Sequence, residues 1–210
     1  MKSPAPTRVL AGLLLLAFAG CAALPEKPVR PQTYDLGAPP PAASAAPAAS
    51  AEPLALEPVS APPALDGTQI TYRLTYADGG QQPRPYAQAR WAMTPPQLLG
   101  QRLRQALSAR RPVLDADDAG LARLHLRVEL DEFAQIFTAS DASEGVLRLR
   151  VTALAPAAAR GRQLLGQRNI TVRKPAATPD APGAAAALRE AADEAVRQVI
   201  DWLDTLPPPR

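Results

Sequence analysis

The chain of 210 residues contains one cysteine, Cys21, one histidine, His125, and few aromatic residues, which make up 4% of the sequence. Zinc sites of the usual kinds need several cysteine or histidine ligands, and nucleophilic sites need a base beside the nucleophile. His125 stands on the polar phase of an alternating segment, which favours a solvated or sheet-surface histidine over a catalytic base. Since glycine-rich phosphate loops and paired-carboxylate motifs are also missing, the sequence predicts no catalytic residues, no metal and no cofactor.

A strong charge imbalance is missing too, once the first residues are set aside. The chain has 23 basic and 20 acidic residues, and residues 1–20 contain Lys2 and Arg8 but no acid, which leaves 21 basic against 20 acidic residues. A near-neutral chain gives little support to nucleic-acid binding. We therefore expect no nucleic-acid partner.

A short apolar segment that ends at the single cysteine is the most informative feature present. Lys2 and Arg8 precede an apolar run of about eleven residues, roughly half of the ~20 that a membrane-spanning helix needs. Small residues lie directly before Cys21, as in the signals of bacterial lipoproteins, whose thiol receives diacylglycerol before cleavage. Phe18 stands where leucine is usual. The sequence predicts a signal peptide over 1–20, cleavage between Gly20 and Cys21, and lipidation of Cys21.

The alternative is an ordinary signal followed by a free cysteine, but a lone thiol in an exported protein invites intermolecular pairing. Acyl chains such as palmitate contribute about 0.8 kcal/mol per buried CH₂, so two or three chains on Cys21 would anchor the protein durably. Ala22, rather than an aspartate, follows the cysteine. This favours the outer membrane, on its periplasmic face.

Past the cysteine, composition divides the chain into a tether, one domain and a tail. Residues 21–32 are rich in proline and charge and are expected to form the tether, and residues 207–210 form the tail. The domain covers 33–206 and includes an Ala/Pro/Ser segment, 38–52, which is predicted to be a disordered loop.

Within the domain, periodicity predicts strands, a helix, further strands and a final helix. Apolar residues recur at helical spacing from 95 to about 111 and from 184 to 206, and Thr94 and Gln97 form a capping box before the first helix. The fold class is predicted as α+β, an antiparallel β-sheet with two α-helices packed on one face. Predicted strands cover 33–37, 54–56, 70–74, 86–92, 124–131, 147–151 and 167–173.

Charged side chains on these elements are expected to face solvent. Acidic residues and arginines of the strands at 124–131 and 147–151 are expected to pair across the strands, and Asp193 is expected to pair with Arg197 on the final helix. The first helix is basic, which we interpret as a solvated face rather than a headgroup-binding or partner-binding one. Its arginines are Arg102, Arg104, Arg110 and Arg111.

In their order, these elements resemble the ABC-type transport auxiliary lipoprotein family, of the PqiC type. The resemblance covers nearly all of the chain after Cys21, although the Ala/Pro/Ser segment is longer than the family leads us to expect. The segments that carry it are 34–37, 54–62, 70–73, 86–91, 95–103, 126–137 and 147–152, together with the terminal alanine-rich helix.

The resemblance implies a non-enzymatic, outer-membrane-anchored component of a system that moves lipids between membranes. It implies an MCE-domain protein as the docking partner and, through it, an ABC permease and ATPase, and it leaves a homo-oligomer open. The alternative is a periplasmic lipid carrier with its own apolar cavity. A hydrolase is disfavoured because the sequence offers no pair of nucleophile and base.

Three residues of one predicted strand, Tyr86, Arg90 and Trp91, are candidates for an exposed partner surface. Trp91 is also open to a second interpretation, as a residue of the core.

Overall fold

The computed structural model describes residues 30–40, 52–78, 81–115, 117–157 and 161–207. The predicted signal peptide, Cys21 and most of the tether lie outside these residues, as do most of the Ala/Pro/Ser segment and the end of the tail. Two single turns of 3-10 helix occur at Pro63–Leu65 and Ala119–Leu121. The helices are α1 (Pro95–Ser108) and α2 (Ala181–Leu203), and the strands are β1 (Gln32–Tyr34), β2 (Leu54–Leu56), β3 (Gln69–Leu74), β4 (Arg84–Trp91), β5 (Val113–Leu114), β6 (Leu124–Phe137), β7 (Ser143–Ala157) and β8 (Gly161–Pro175).

The eight strands form one sheet that divides into two arms at β6. One edge of β6 pairs with β7, which in turn pairs with β8. The other edge of β6 is shared, since β2 pairs with its first residues and β3 with its last. One arm therefore runs from β6 through β2 to β5, and the other runs through β3 and β4 to β1.

The α+β class and the two helices are confirmed, but the sheet is mixed rather than antiparallel throughout. The three pairs β3–β4, β6–β7 and β7–β8 are antiparallel, and each joins strands that follow one another in the chain. Four further pairs, β1–β4, β2–β5, β2–β6 and β3–β6, are parallel. A parallel pair needs a long crossover connection, so its partner strand is distant in sequence.

Local chemistry explains where each helix begins. The Thr94 amide donates to Gln97 Oε1 at 3.1 Å, as the predicted capping box requires. At the start of α2, the Asp180 carboxylate accepts hydrogen bonds from the Gly183 amide at 2.9 Å and from the Thr178 hydroxyl at 2.5 Å. These bonds satisfy amides that a helix leaves unpaired at its N-terminus.

Both helices contribute to one core on the same face of the sheet. Alanines line the buried side of α2, and their small side chains let the helix approach β7 closely. Gly145 lies at the closest point, because a Cβ there would be 2.8 Å from the backbone of Ala187 and Leu188. The larger core side chains come from the sheet and from α1, and those with almost no exposure include Leu99, Leu103, Leu126, Leu130, Leu147 and Leu149.

Candidate interaction surfaces

The three residues proposed as a partner surface lie on β4 with different exposures. Arg90 is exposed and Tyr86 is half-buried. Trp91 is 1% exposed, and its ring centroid lies 5.3 Å from that of Phe133. The indole of Trp91 thus belongs to the core, and Arg90 is the member of the trio that offers an exposed side chain.

Tyr86 connects three strands through a chain of hydrogen bonds. Its hydroxyl donates to Gln135 Oε1, and the Gln135 amide donates to Ser143 Oγ at 2.8 Å. Burial, together with the charges of Tyr72 and Asp180, raises the pKa of Tyr86 to about 12. Since a phenol with this pKa is neutral at pH 7, Tyr86 serves as a hydrogen-bond donor that joins β4 to β6 and β7.

His125 lies between two core leucines of β6 and faces away from the helices. Its side chain is only 6% exposed. The histidine lies on the predicted face of the sheet, but the prediction of a solvated side chain is wrong. Burial lowers the pKa of His125, and the neighbouring Arg162 guanidinium lowers it further. The imidazole is therefore held in its neutral form.

The sheet face opposite the helices carries rows of arginine and glutamate, which we call the ionic face. The prediction of cross-strand pairs is confirmed for Arg150, whose Nη1 lies 3.0 Å from Glu129 Oε2. Arg148 pairs with Glu132, just past the predicted strand, and its Nη2 lies 3.1 Å from Glu132 Oε2. Because these arginines are almost half exposed, each pair contributes little to stability. The ionic face consists of Arg73, Arg127, Arg148, Arg150, Arg162 and Arg173 with Glu57, Glu129, Glu132 and Glu144.

Glu57 is shared between two arginines of this face. Arg127 Nε lies 3.0 Å from Glu57 Oε2, and Arg162 bonds the other carboxylate oxygen. Burial opposes ionisation of Glu57, but the hydrogen bonds from Arg127 and Arg162 hold its pKa below the usual value. One carboxylate thus meets two guanidinium groups, which leaves a local excess of positive charge.

The four arginines of the predicted first helix divide into one buried and three more exposed side chains, and Arg110 and Arg111 lie just after the observed end of α1. Arg102 is 3% exposed, its Nε lies 3.3 Å from Asp193 Oδ1, and its Nη2 donates to the carbonyl oxygens of Leu36 and Gly37. The solvated face predicted for α1 is wrong at Arg102, because this part of the helix packs against α2. The other three pair with acids, Arg104 with Asp115 and both Arg110 and Arg111 with Asp204.

The prediction that Asp193 pairs with Arg197 is also wrong. Asp193 turns to Arg102, and Arg197 pairs with Glu194. Burial raises the pKa of Asp193 even though the charge of Arg102 acts in the opposite direction.

Three clefts open on the described part of the chain. One of about 230 Å³ lies between the end of β2 and α1, and one of about 300 Å³ lies beside Arg102. A third, of about 380 Å³, lies between the 3-10 turn at Pro63–Leu65 and the start of β4, and Arg73 and Glu132 contribute charges to its lining. These volumes are at the lower end of the range for small-molecule sites.

β8 forms an edge of the sheet and is basic along its length. It pairs with β7 over its full length and with no other strand in the described part of the chain. It contains four basic residues and no acidic one. Sequence reasoning did not identify this surface, although the absence of acids from 161 to 175 was visible in the sequence. The basic residues are Arg162, Arg168, Arg173 and Lys174.

Within the described ranges, no helix is long and apolar enough to cross a membrane. The sequence model of one protein family, the ABC-type transport auxiliary lipoprotein component, matches residues 34–200. The chain belongs to this family. The family resemblance that the sequence segments indicated is therefore confirmed. According to the description of this family, the chain is a lipoprotein component of ABC-type transport.

Solved structures support the fold of this family member. A Xanthomonas campestris protein described by the family model DUF330 is 18% identical to this chain and superposes on it with a TM-score of 0.66. The match covers 82% of this chain and 94% of the Xanthomonas chain. The crystal structure of an uncharacterized protein is 15% identical, covers 83% and 99%, and gives a TM-score of 0.61. No curated protein matches the chain. At these identities the likeness concerns the fold alone.

Proposed function

We propose that this protein is the non-enzymatic docking component of an ABC/MCE-type transport system that moves lipid between membranes. Cys21 carries the lipid that anchors it to the periplasmic face of the outer membrane. The domain docks a periplasmic MCE-domain protein and is linked through that protein to the permease and the ATPase. The observation that carries the proposal is the family match over residues 34–200.

The geometry of the described residues supports a docking role better than a carrier role. A carrier needs an enclosed apolar cavity, whereas the three clefts are open, measure about 230 to 380 Å³, and all carry charged residues in their lining. The space between helices and sheet is filled by the alanines of α2 and the leucines of β6 and β7. The exposed surface, in contrast, is rich in arginine, a residue enriched in protein interfaces.

Affinity purification of the tagged full-length lipoprotein from detergent-solubilised native membranes tests this function. We expect an MCE-domain protein among the partners that remain bound after washing. Recovery of peptidoglycan synthases or outer-membrane assembly factors without an MCE-domain protein would contradict the docking role. Phospholipid that stays bound to the purified domain after detergent exchange would instead support the carrier alternative.

A further inference from the structure

β8 presents a long strand edge that the described sheet leaves open. Its 15 residues pair with β7 from Gly161 to Pro175, and the register shifts once, between Ala153 and Leu154 of β7. In an antiparallel pair, alternate residues direct their N–H and C=O groups to the neighbouring strand, and the others direct them outward. The outer edge of β8 is therefore a row of donors and acceptors suited to another extended chain.

Several devices that usually block such an edge are absent from β8. Edge strands are commonly kept very short or carry proline in their interior, whereas β8 is among the longest strands described and its proline, Pro175, is its last residue. The register shift lies near one end and leaves a continuous stretch from Gly166 to Pro175. Charge is the remaining device.

The charge of β8 selects among occupants. Like charges directly opposite one another in neighbouring strands are unfavourable, and opposite charges are favourable. The charged residues of a second copy of β8 would all be arginine or lysine, so two β8 strands placed edge to edge would repel each other. A strand with glutamate or aspartate at alternate positions would meet opposite charge.

The basic residues of β8 differ in how far they are already neutralised. Arg168 is exposed and forms no ion pair with other described residues. The side chain of Arg173 is 52% exposed and pairs with Glu144 at 3.2 Å, and Arg162 shares Glu57 with Arg127. Between these charges lie Gln167, Asn169 and Thr171, which are exposed and polar.

From this placement we propose that the outer edge of β8 binds an extended acidic segment of a partner protein as an added strand. Backbone hydrogen bonds supply affinity, and a carboxylate opposite Arg168 supplies specificity. Arg173 lies on the other face of β8, where it already pairs with Glu144. The proposal deepens the docking role and rests on it for the location of the partner in the periplasm. The binding chemistry itself is tested without that partner.

The test uses the purified lipoprotein in detergent and a fluorescent peptide of about ten residues, a usual upper length for a strand, in which glutamate alternates with threonine or valine. We expect the peptide to bind and to slow hydrogen exchange in β8 but not in α1. A peptide with lysine in place of glutamate should not bind. The glutamate peptide N-methylated at every amide, which keeps its charge and loses the donors of both edges, should bind at least tenfold more weakly.

Variants locate the site. Arg168→Glu should weaken binding of the glutamate peptide by roughly three- to tenfold, since a favourable cross-strand pair becomes a repulsive one. Arg189→Glu, an exposed arginine on α2, is the matched control and should leave binding unchanged.

The proposal is overturned if the glutamate peptide does not bind, if the N-methylated peptide binds equally well, or if the two variants have equal effects. Each of these outcomes can be distinguished from a failure of the proposed function. Loss of the MCE-domain protein from the affinity purification would leave the peptide results unchanged, and a partner recovered equally by Arg168→Glu would refute the edge and preserve the docking role.

Discussion

At the scale of single residues, Arg102 joins more of the molecule than any other charged side chain of α1. Its guanidinium contacts the segment after β1 through two carbonyl oxygens and reaches α2 through Asp193. A buried ion pair contributes little net stability compared with apolar residues of the same size, but removing one partner leaves an uncompensated charge. Asp193, whose pKa burial already raises, would be that charge.

Replacing Arg102 therefore has a predictable cost. Arg102→Met should lower the free energy of unfolding at pH 7 by about 3 kcal/mol, the lower end for a broken buried pair, because Asp193 keeps some contact with solvent. Urea unfolding measures the change. Arg104→Met, which breaks a pair with an exposed acid, is the control and should cost under about 1 kcal/mol. If the two variants lose equal stability, the Arg102 cluster is not the buried link described here.

His125 gives the fold a dependence on pH between neutrality and mild acid. The folded protein holds the pKa of His125 below 6.5, its ordinary value, so the unfolded chain takes up the proton first. The stabilisation is complete above pH 6.5 and is lost as pH falls from there toward the lowered pKa of the folded state.

The histidine variant isolates this effect. We expect the urea midpoint to fall between pH 7.5 and pH 5 in the parent protein and to fall less in His125→Gln. Glu57 and Asp180 have lowered pKa values and ordinary values of 4.5 and 3.8, so their stabilisation is lost only at more acidic pH. Identical pH dependence of the two proteins would mean that His125 is not the titrating group.

At the scale of elements, the pairing of α2 with β7 depends on the absence of a side chain at Gly145. A Cβ there would lie 2.8 Å from helix backbone, which cannot move aside as a flexible side chain can. Overpacking of this kind typically costs 1–3 kcal/mol.

Gly145→Ala should accordingly lower the thermal midpoint and destabilise the domain by about 1–3 kcal/mol. Gly120→Ala is a suitable comparison, because a Cβ at Gly120 meets no atom within 4 Å, and it should leave the midpoint almost unchanged. A Gly145→Ala protein as stable as the Gly120→Ala protein would show that the helix can retreat from the sheet.

The strands also show which parts of the fold are readable from sequence. In β6 the alternation of Leu126, Val128 and Leu130 predicts a strand, but a register shift between Leu130 and Glu132 moves the next core residue to Phe133. The predicted strand thus stops at 131 whereas β6 continues to Phe137. The two-residue β5 is too short to show a period, so it was missed.

At the scale of the whole molecule, neighbouring hairpins were predictable and distant pairings were not. Turns and alternation define β3–β4 and β6–β7, whereas the parallel pairs join strands separated by helices or long loops. The same limit applies to side chains, since the ion pair of Arg102 and Asp193 spans two helices far apart in sequence. The α+β class was readable because it follows from the kinds of elements and their order.

The anchor is tested at this scale as well. Cys21→Ala removes the proposed acceptor of the lipid and should shift the protein from the outer-membrane fraction to the soluble or signal-uncleaved fraction, as fractionation and immunoblotting would show. Cys21 lies outside the predicted domain, so the melting temperature of the domain should stay unchanged. Unaltered outer-membrane fractionation of Cys21→Ala would refute lipid anchoring.

β1 is the element on which tension would act first if the proposed membrane anchor and the proposed partner moved apart. It is three residues long and pairs with β4 alone among the described strands. Within the next three residues lie the carbonyl groups that accept hydrogen bonds from Arg102. We expect a pull from the N-terminal side to separate β1 from β4 first and then to load the hydrogen bonds of Arg102. The hydrogen bonds of Arg102 would therefore limit the extension of the N-terminal segment. Only the residues of β1 would be released before the force reaches the core.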